Sequence, residues 1–295
     1  MTEQPWVAGV SAAQRTAEER ERIAAGLRQE AGAAQVLLST CHRVELYGFG
    51  EPPRLAAGLP LQSGQAAVVH LLRVAAGLES ALVGEEEVLH QVRDAFRDAA
   101  AGEHRLDARL HRLFEVAVAT GRRARAGRTA NGAGLAGRAV DWLQDRAPLR
   151  GRPVLVAGAG RMGSALAHAA QKQGALVTIA SRDPERARRL ASVYGGSGVG
   201  LAEGADLLPR SAGVAVALSG LWEELVAPAD PLPPIADISA PSALPAALRS
   251  RLNGGFLGVD ELFAGGAPPP GYVATAELIV LGKAGEYLGW LEARS

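Results

Sequence analysis

Residues 153–163 read Pro-Val-Leu-Val-Ala-Gly-Ala-Gly-Arg-Met-Gly, and the fold turns on them. Val154 to Ala157 is a short apolar run. Gly158-Ala159-Gly160-Arg161-Met162-Gly163 follows at once, then an Ala-rich helical stretch to about Gly174, then a second apolar run, Leu176 to Ala180. Glycines at this spacing, between a strand and a helix, are the fingerprint of a dinucleotide-binding βαβ unit. Gly158 permits a tight turn, Gly160 lets the backbone approach a pyrophosphate, and Gly163 lets helix and strand pack closely. The helix N-terminus adds free N–H groups and a partial positive charge. Val214 to Leu218 and Ile235 to Ile238 read as later strands, so strands alternate with helices and imply a parallel sheet.

The tip of the second strand selects the cofactor. An NAD site places Asp or Glu there to accept from the ribose 2′-hydroxyl. This chain has Ser181-Arg182, and a guanidinium suits a 2′-phosphate. The expected cofactor is therefore NADPH, with Asp183 one residue later keeping NAD open.

Upstream, the pattern differs. Thr16 to Gln29 is helix-like, and Val36 to Ser39 and Val44 to Phe49 read as two strands. The polar tetrad Thr40-Cys41-His42-Arg43 separates them. From about Gln65 to Gln144 the periodicity is helical. Pro148 to Pro153 resembles a linker, Gly265 to Gly271 closes the βα segment, and Ala274 to Ala293 is a last helix. The expected architecture is an α/β chain: an N-terminal α+β domain over 1–147, a Rossmann-type domain over 148–272, and a C-terminal helix over 273–295.

Composition bounds the class. The chain has 295 residues, 31 basic against 31 acidic groups, and 48% hydrophobic residues, which fits a folded globular protein with room for two domains. The single Cys excludes an internal disulfide framework and a Cys-rich zinc site. No metal site is expected, since the six His show no ligand spacing. No apolar run reaches the ~18 residues a membrane span needs. The N-terminus lacks a basic start followed by an apolar stretch, so the expected location is the cytoplasm.

Cys41 stands among groups that can hold a thiolate, since a nearby cation lowers a thiol pKa. A free Cys is otherwise an inert buried hydrophobe. A thiolate paired with a nicotinamide domain suits acyl chemistry: it attacks an ester carbonyl, and the thioester accepts hydride.

Leu38 to Tyr47, reading Leu-Ser-Thr-Cys-His-Arg-Val-Glu-Leu-Tyr, resembles the cysteine motif of the glutamyl-tRNA reductases. His70 to Ser80 and Gly84 to Val92 resemble that family's second signature, in the same order. The 158–163 loop and Ser181 to Ala187 are similar to its NADPH domain, and Asp237 to Pro241 and Gly258 to Leu262 resemble its later strands more faintly.

The resemblance implies reduction of the glutamyl ester of tRNA to glutamate-1-semialdehyde with NADPH, the first step of five-carbon tetrapyrrole synthesis. It makes Cys41 the nucleophile and His70 a second catalytic residue near the reacting ester. It puts Thr40, His42, Arg43, Ser80, Glu85, Glu86, Glu87 and Gln91 in the substrate pocket. It gives Gly158, Ala159, Gly160, Arg161, Met162, Gly163, Ser181 and Arg182 to the cofactor. Glutamyl-tRNA is the implied partner, and the pathway's next enzyme a further one. Departures are visible. His42 stands where the family has Asn, Val44 where it has Thr, and Glu86-Glu87 where it has Pro-Gln. The family's C-terminal dimerisation domain is not expected within this length, which leaves the oligomeric state open.

Arg97 to Arg128 holds eight Arg against four acidic residues, densest at Arg122-Arg123-Arg125-Arg128. Such a face binds phosphates or is simply solvated. Two other readings stand beside the reductase: a reductase-like binding or regulatory protein, and another NADP-dependent oxidoreductase acting on a small substrate.

Overall fold

The structure, a computed structural model, describes residues 4–30, 34–40, 42–80, 83–84, 87–102, 106–126, 134–225, 231–263 and 271–294. Two compact units divide the chain, one formed by 1–132 with 266–295 and one by 133–265.

The first unit begins with β1 (Pro5–Ser11), α1 (Ala17–Glu30), β2 (Val36–Ser39), β3 (Arg43–Phe49), α2 (Arg54–Ala57), β4 (Leu61–Ser63), α3 (Gln65–Ala76), α4 (Glu87–Ala100) and α5 (Ala108–Arg125). The strands form an antiparallel sheet in the order β2-β3-β1-β4. Side chains alternate across a strand, and β3 uses both faces. Val44 and Leu46 pack with Trp6, Ala8, Ala24, Leu27 and Ala56 on the side of α1 and α2. Arg43, Glu45 and Tyr47 occupy the other face. There Tyr47 joins Val7, Val36 and Leu38 in a core with Leu71, Leu72, Val92, Leu110 and Phe114 from α3, α4 and α5.

The sequence reading identifies β2 and β3 but not β1 or β4. β1 pairs with β3 along its whole length, from Pro5 opposite Phe49 to Ser11 opposite Arg43. Gly9 stands opposite Glu45 in that ladder, and a Cβ there would come within 2.3 Å of the Val44 carbonyl oxygen and 2.8 Å of Glu45 Cγ. The bare backbone of Gly9 is what leaves space for the Glu45 side chain.

The second unit contains α6 (Leu135–Arg146), β5 (Pro153–Ala157), α7 (Arg161–Lys172), β6 (Leu176–Ser181), α8 (Pro184–Val193), β7 (Ser197–Gly200), α9 (Leu201–Leu207), β8 (Gly213–Val216), β9 (Ile235–Asp237), α10 (Ala246–Arg251), β10 (Phe256–Gly258) and α11 (Val259–Phe263). The sheet is parallel, in the order β10-β9-β8-β5-β6-β7. Its strand order reverses between β5 and β8, which opens a ligand crevice at the carboxyl ends of those strands. α6 covers one face of this sheet, with Leu135, Ala136, Ala139, Val140 and Leu143 buried at helical spacing. The unit therefore starts at 133, ahead of α6, and not at the Pro-rich linker after residue 147. That stripe reads equally well as the end of a helical domain, and only the packing partner separates the two.

The last helix, α12 (Tyr272–Glu292), belongs to the first unit and packs on α3 and α5. Tyr272, Ala276, Val280, Ala284 and Tyr287 form its buried stripe. The Tyr287 hydroxyl donates to the Arg109 carbonyl at 3.0 Å, and Tyr272 donates to the Ala76 carbonyl. Arg73 on α3 pairs with Glu277 on α12. Among the described residues no helix is long and apolar enough to cross a membrane.

Candidate functional site

The turn between β2 and β3 is built by Thr40. Its N–H donates to the Arg43 carbonyl at 2.8 Å, and its Oγ1 accepts from the backbone N–H groups of His42 and Arg43, both at 3.1 Å. A side-chain hydroxyl bonded this way stabilises a tight turn. Thr40 thus closes the strand pair on either side of position 41. Cys41 itself lies outside the described residues.

His42 is half-buried, and its carbonyl accepts from the Ala12 N–H at 2.7 Å. Burial, together with the nearby Arg20 and Arg43 guanidinium groups, lowers its pKa from 6.5 to about 4. His42 is a neutral imidazole at pH 7. It cannot act as the cation that stabilises a neighbouring thiolate, and the positive field at this turn comes from Arg20 and Arg43.

Behind the turn lies a buried polar cluster. Glu45 Oε1 accepts from Arg43 Nη1 at 3.0 Å and lies 2.9 Å from His70 Nε2, and Glu45 Oε2 accepts from the Tyr47 hydroxyl at 2.7 Å. Burial alone pushes the Glu45 carboxyl up, but the Arg43 charge, His70 and Tyr47 outweigh it and hold it at about 2. Glu45 is therefore ionised, and an ionised carboxylate only accepts. His70 donates from Nε2, leaving Nδ1 as its other nitrogen. Burial and the facing Glu45 charge push the Tyr47 hydroxyl well above its ordinary value.

Arg43 is 4% exposed, and its Nη2 also donates to the Glu79 carbonyl. The Glu79 side chain accepts from Arg73 Nε at 2.5 Å. This ties the turn after α3 to β3 and brings the neighbouring Ser80, itself buried, to the edge of the cluster. The same turn is closed by the Gly84 N–H donating to the Gly77 carbonyl at 2.9 Å. Glu85 and Glu86 lie outside the described residues. Glu87 begins α4, and Gln91 follows one helical turn later, both half-buried. The structure joins Arg43 and His70 through Glu45, and among the described residues no hydrogen bond links Gln91 to them.

Glu45 is the residue that sequence reasoning missed. Its signal is the alternation Arg43-Val44-Glu45-Leu46-Tyr47, in which three polar groups share one strand face. Such a face reads as solvated until α3 is known to cover it.

The basic stretch resolves into separate roles. Arg97 pairs with Asp94 and Asp98, Arg109 with Asp107, and Arg112 with Glu115. Arg125 Nη1 donates to the Ala75 and Gly121 carbonyls at 2.7 and 2.9 Å, which fastens α5 to the end of α3. Arg122 and Arg123 are exposed and make no ion pair among the described residues. Arg128 lies outside the described residues.

The glycine loop of the second unit runs from β5 into α7. Gly158 has φ +123°, and a Cβ there would lie 2.2 Å from the Ala217 carbonyl oxygen. A Cβ on Gly163 would lie 1.8 Å from the Gly158 carbonyl oxygen, whereas one on Gly160 would meet nothing within 4 Å. The loop is tight on its protein side and open at Gly160, which caps α7 without a side-chain bond. That is a cradle for a group that takes hydrogen bonds from backbone N–H. Ala159 is buried, Met162 half-buried and Arg161 exposed. Ser181 is buried and Arg182 exposed, the latter facing a cavity of about 360 Å³ with Leu201, Gly220, Leu221, Glu223 and Glu224. Asp183 Oδ1 accepts from the Arg186 N–H at 3.0 Å and caps α8, so this carboxylate serves the fold.

Known proteins resemble the two units in the same order. Residues 7–127 match the family described as "Glutamyl-tRNAGlu reductase, N-terminal domain", and residues 153–217 match "NADP oxidoreductase coenzyme F420-dependent". The chain is 41% identical over 187 residues to the glutamyl-tRNA reductase of Methanopyrus kandleri, covering 60% of this chain and 46% of that one. It is 36% identical over 260 residues to that of Rubrobacter xylanophilus, covering 75% and 59%. A solved structure, "Glutamyl-tRNA Reductase from Methanopyrus kandleri", is 29% identical with a TM-score of 0.47, covering 100% of this chain and 80% of that one. The chain spans about half the length of the curated relatives it matches. The N-terminal family match contains the Thr40–Arg43 turn and the Glu45 cluster, and the relatives' likeness runs on through the glycine loop. On these grounds residues 7–127 belong to the N-terminal domain family of the glutamyl-tRNA reductases.

Proposed function

We propose that this protein reduces glutamyl-tRNA to glutamate-1-semialdehyde with NADPH, the entry to five-carbon tetrapyrrole synthesis. The observation that carries the reading is the buried Glu45 carboxylate joining Arg43, Tyr47 and His70 behind the Thr40–Arg43 turn, in a domain of this family. The reductase domain is the first unit, and the cofactor domain is the second.

Cys41 is the proposed nucleophile. Its thiolate attacks the ester carbonyl, the bond to the tRNA ribose oxygen breaks, and that oxygen leaves with a proton. Arg20 and Arg43 supply the positive field that favours the thiolate. His70, oriented through Nε2 by Glu45, offers Nδ1 to hold or deliver the leaving group's proton. Thr40 fixes the turn that carries Cys41. Ser80, Glu87 and Gln91, with His42, Glu85 and Glu86, complete the proposed substrate pocket, and Arg43 binds the substrate's glutamyl group from its buried seat.

The residues of the second unit suit NADPH: Gly160 faces open space, Gly158 and Gly163 admit no Cβ, and Arg182 is available for a 2′-phosphate. Bound there, NADPH supplies the hydride that turns a thioester into an aldehyde and returns the thiolate. Arg122 and Arg123 are the proposed contacts to tRNA phosphates, and the proposed location is the cytoplasm. The test is a steady-state assay of the purified protein with charged glutamyl-tRNA and NADPH, following aldehyde. Production that depends on both substrates supports the reading, whereas cofactor binding without turnover favours a reductase-like binding protein.

A further inference from the structure

We propose that Glu223 and Glu224 set how strongly the second unit prefers a phosphorylated dinucleotide over its unphosphorylated counterpart, an inference that rests on the NADPH reading above. Arg182 follows β6, and Gly220 to Glu224 lie in the loop after β8. The cavity they line is at the carboxyl ends of those strands. In a sheet of this order, the tip of the strand after the glycine-loop helix receives the adenosine ribose. Arg182 reaches toward the opposite wall, where a Cβ on Gly220 would lie 3.1 Å from Nη2.

The two carboxylates are held on a pinned turn. Trp222 is fully buried, its N–H donating to the Ala243 carbonyl at 2.8 Å and its Nε1 to the Leu201 carbonyl at 3.2 Å. The Leu225 N–H donates to the Trp222 carbonyl at 3.2 Å, and Leu225 is 1% exposed. With both ends anchored, Glu223 and Glu224 stay exposed at the cavity between them. Neither carboxylate, nor Arg182, makes an ion pair among the described residues.

A 2′-phosphate carries about −1.5 to −2 charges at neutral pH. Here it meets one guanidinium and two carboxylates, so the attraction of Arg182 is opposed. A ribose 2′-hydroxyl is neutral and donates to a carboxylate. The cavity therefore accepts both dinucleotides and discriminates between them less than Arg182 alone does.

The test is the affinity of the full chain for NADPH and for NADH, read by nicotinamide fluorescence, in the wild type, Glu223→Gln/Glu224→Gln and Arg182→Ala. All three residues are exposed, so the fold is not at stake. Removing the two charges is expected to tighten NADPH about three- to ten-fold, less at high salt, and to leave NADH unchanged or weaker. Arg182→Ala is expected to weaken NADPH about ten-fold and spare NADH. An unchanged NADPH-to-NADH ratio in the double variant overturns the proposal, while the Arg182→Ala result then still upholds the NADPH site. Failure of the wild type to bind either dinucleotide overturns the cofactor reading and the proposal with it.

Discussion

His70 Nε2 lies 2.9 Å from Glu45 Oε1, and this contact joins helix α3 to strand β3 at the proposed reacting centre. Because Glu45 is ionised, the contact assigns the His70 tautomer. It also makes one carboxylate the partner of two proposed site residues, His70 and Arg43.

Removing that carboxylate has two separable effects. Glu45→Ala leaves Arg43 buried without a counter-charge, and urea titration is expected to show a loss of about 3–5 kcal/mol. Glu45→Gln also removes the counter-charge of Arg43 but keeps the shape and one acceptor oxygen for it, so its stability loss should be smaller than that of Glu45→Ala, and it no longer specifies the His70 tautomer. Its fold should survive while aldehyde formation falls about 100-fold. Equal turnover in Glu45→Gln and the wild type contradicts the positioning role.

Gly9→Ala reports on the same cluster from the neighbouring strand. The added Cβ meets the Val44 carbonyl oxygen at 2.3 Å and Glu45 Cγ at 2.8 Å, so β1 or the Glu45 side chain must shift. A destabilisation of about 2–3 kcal/mol, with activity reduced further than stability explains, is expected from thermal melts run beside the assay.

His42 gives a pH signature. Its folded pKa of about 4 is below the unfolded 6.5, so the unfolded chain takes up the proton more readily. The stability this neutral imidazole confers is complete above pH 6.5 and is lost as pH falls toward 4. Partial exposure limits the contribution to about 2 kcal/mol. His42→Asn is expected to flatten melting temperature against pH across that window. Glu45, depressed from 4.5 to about 2, adds its own loss below pH 4.5 in both proteins. An unchanged slope in His42→Asn counts against a neutral, buried His42.

The glycine loop separates fold from binding. Gly163→Ala forces a Cβ to within 1.8 Å of the Gly158 carbonyl oxygen and should destabilise the second unit by about 3 kcal/mol. Gly160→Ala adds a methyl group to open space and should leave the melt unchanged while weakening NADPH at least ten-fold. Intact NADPH affinity in Gly160→Ala places the pyrophosphate elsewhere.

What the sequence disclosed followed the range of the interactions. The β5–loop–α7–β6 unit was legible because its strand, glycine turn and helix signals lie within thirty residues. β1 and β4 were not, because Pro5–Ser11 and Leu61–Ser63 become strands by pairing with distant partners. α6 was legible as a helix, but its allegiance to the parallel sheet rests on contacts that spacing does not encode. The turn at 40–43 was read from its cysteine motif. Glu45 was not, since a carboxylate on a strand reads as exposed until His70 and Tyr47 are placed against it.

The central claim is tested most directly by incubating the protein with glutamyl-tRNA labelled in the glutamyl group, without NADPH. The account predicts a covalent glutamyl adduct that hydroxylamine releases, that maps to the peptide containing Cys41, and that added NADPH converts to aldehyde. Cys41→Ala should form no adduct and no aldehyde. Aldehyde formation by Cys41→Ala at the wild-type rate contradicts the thioester mechanism.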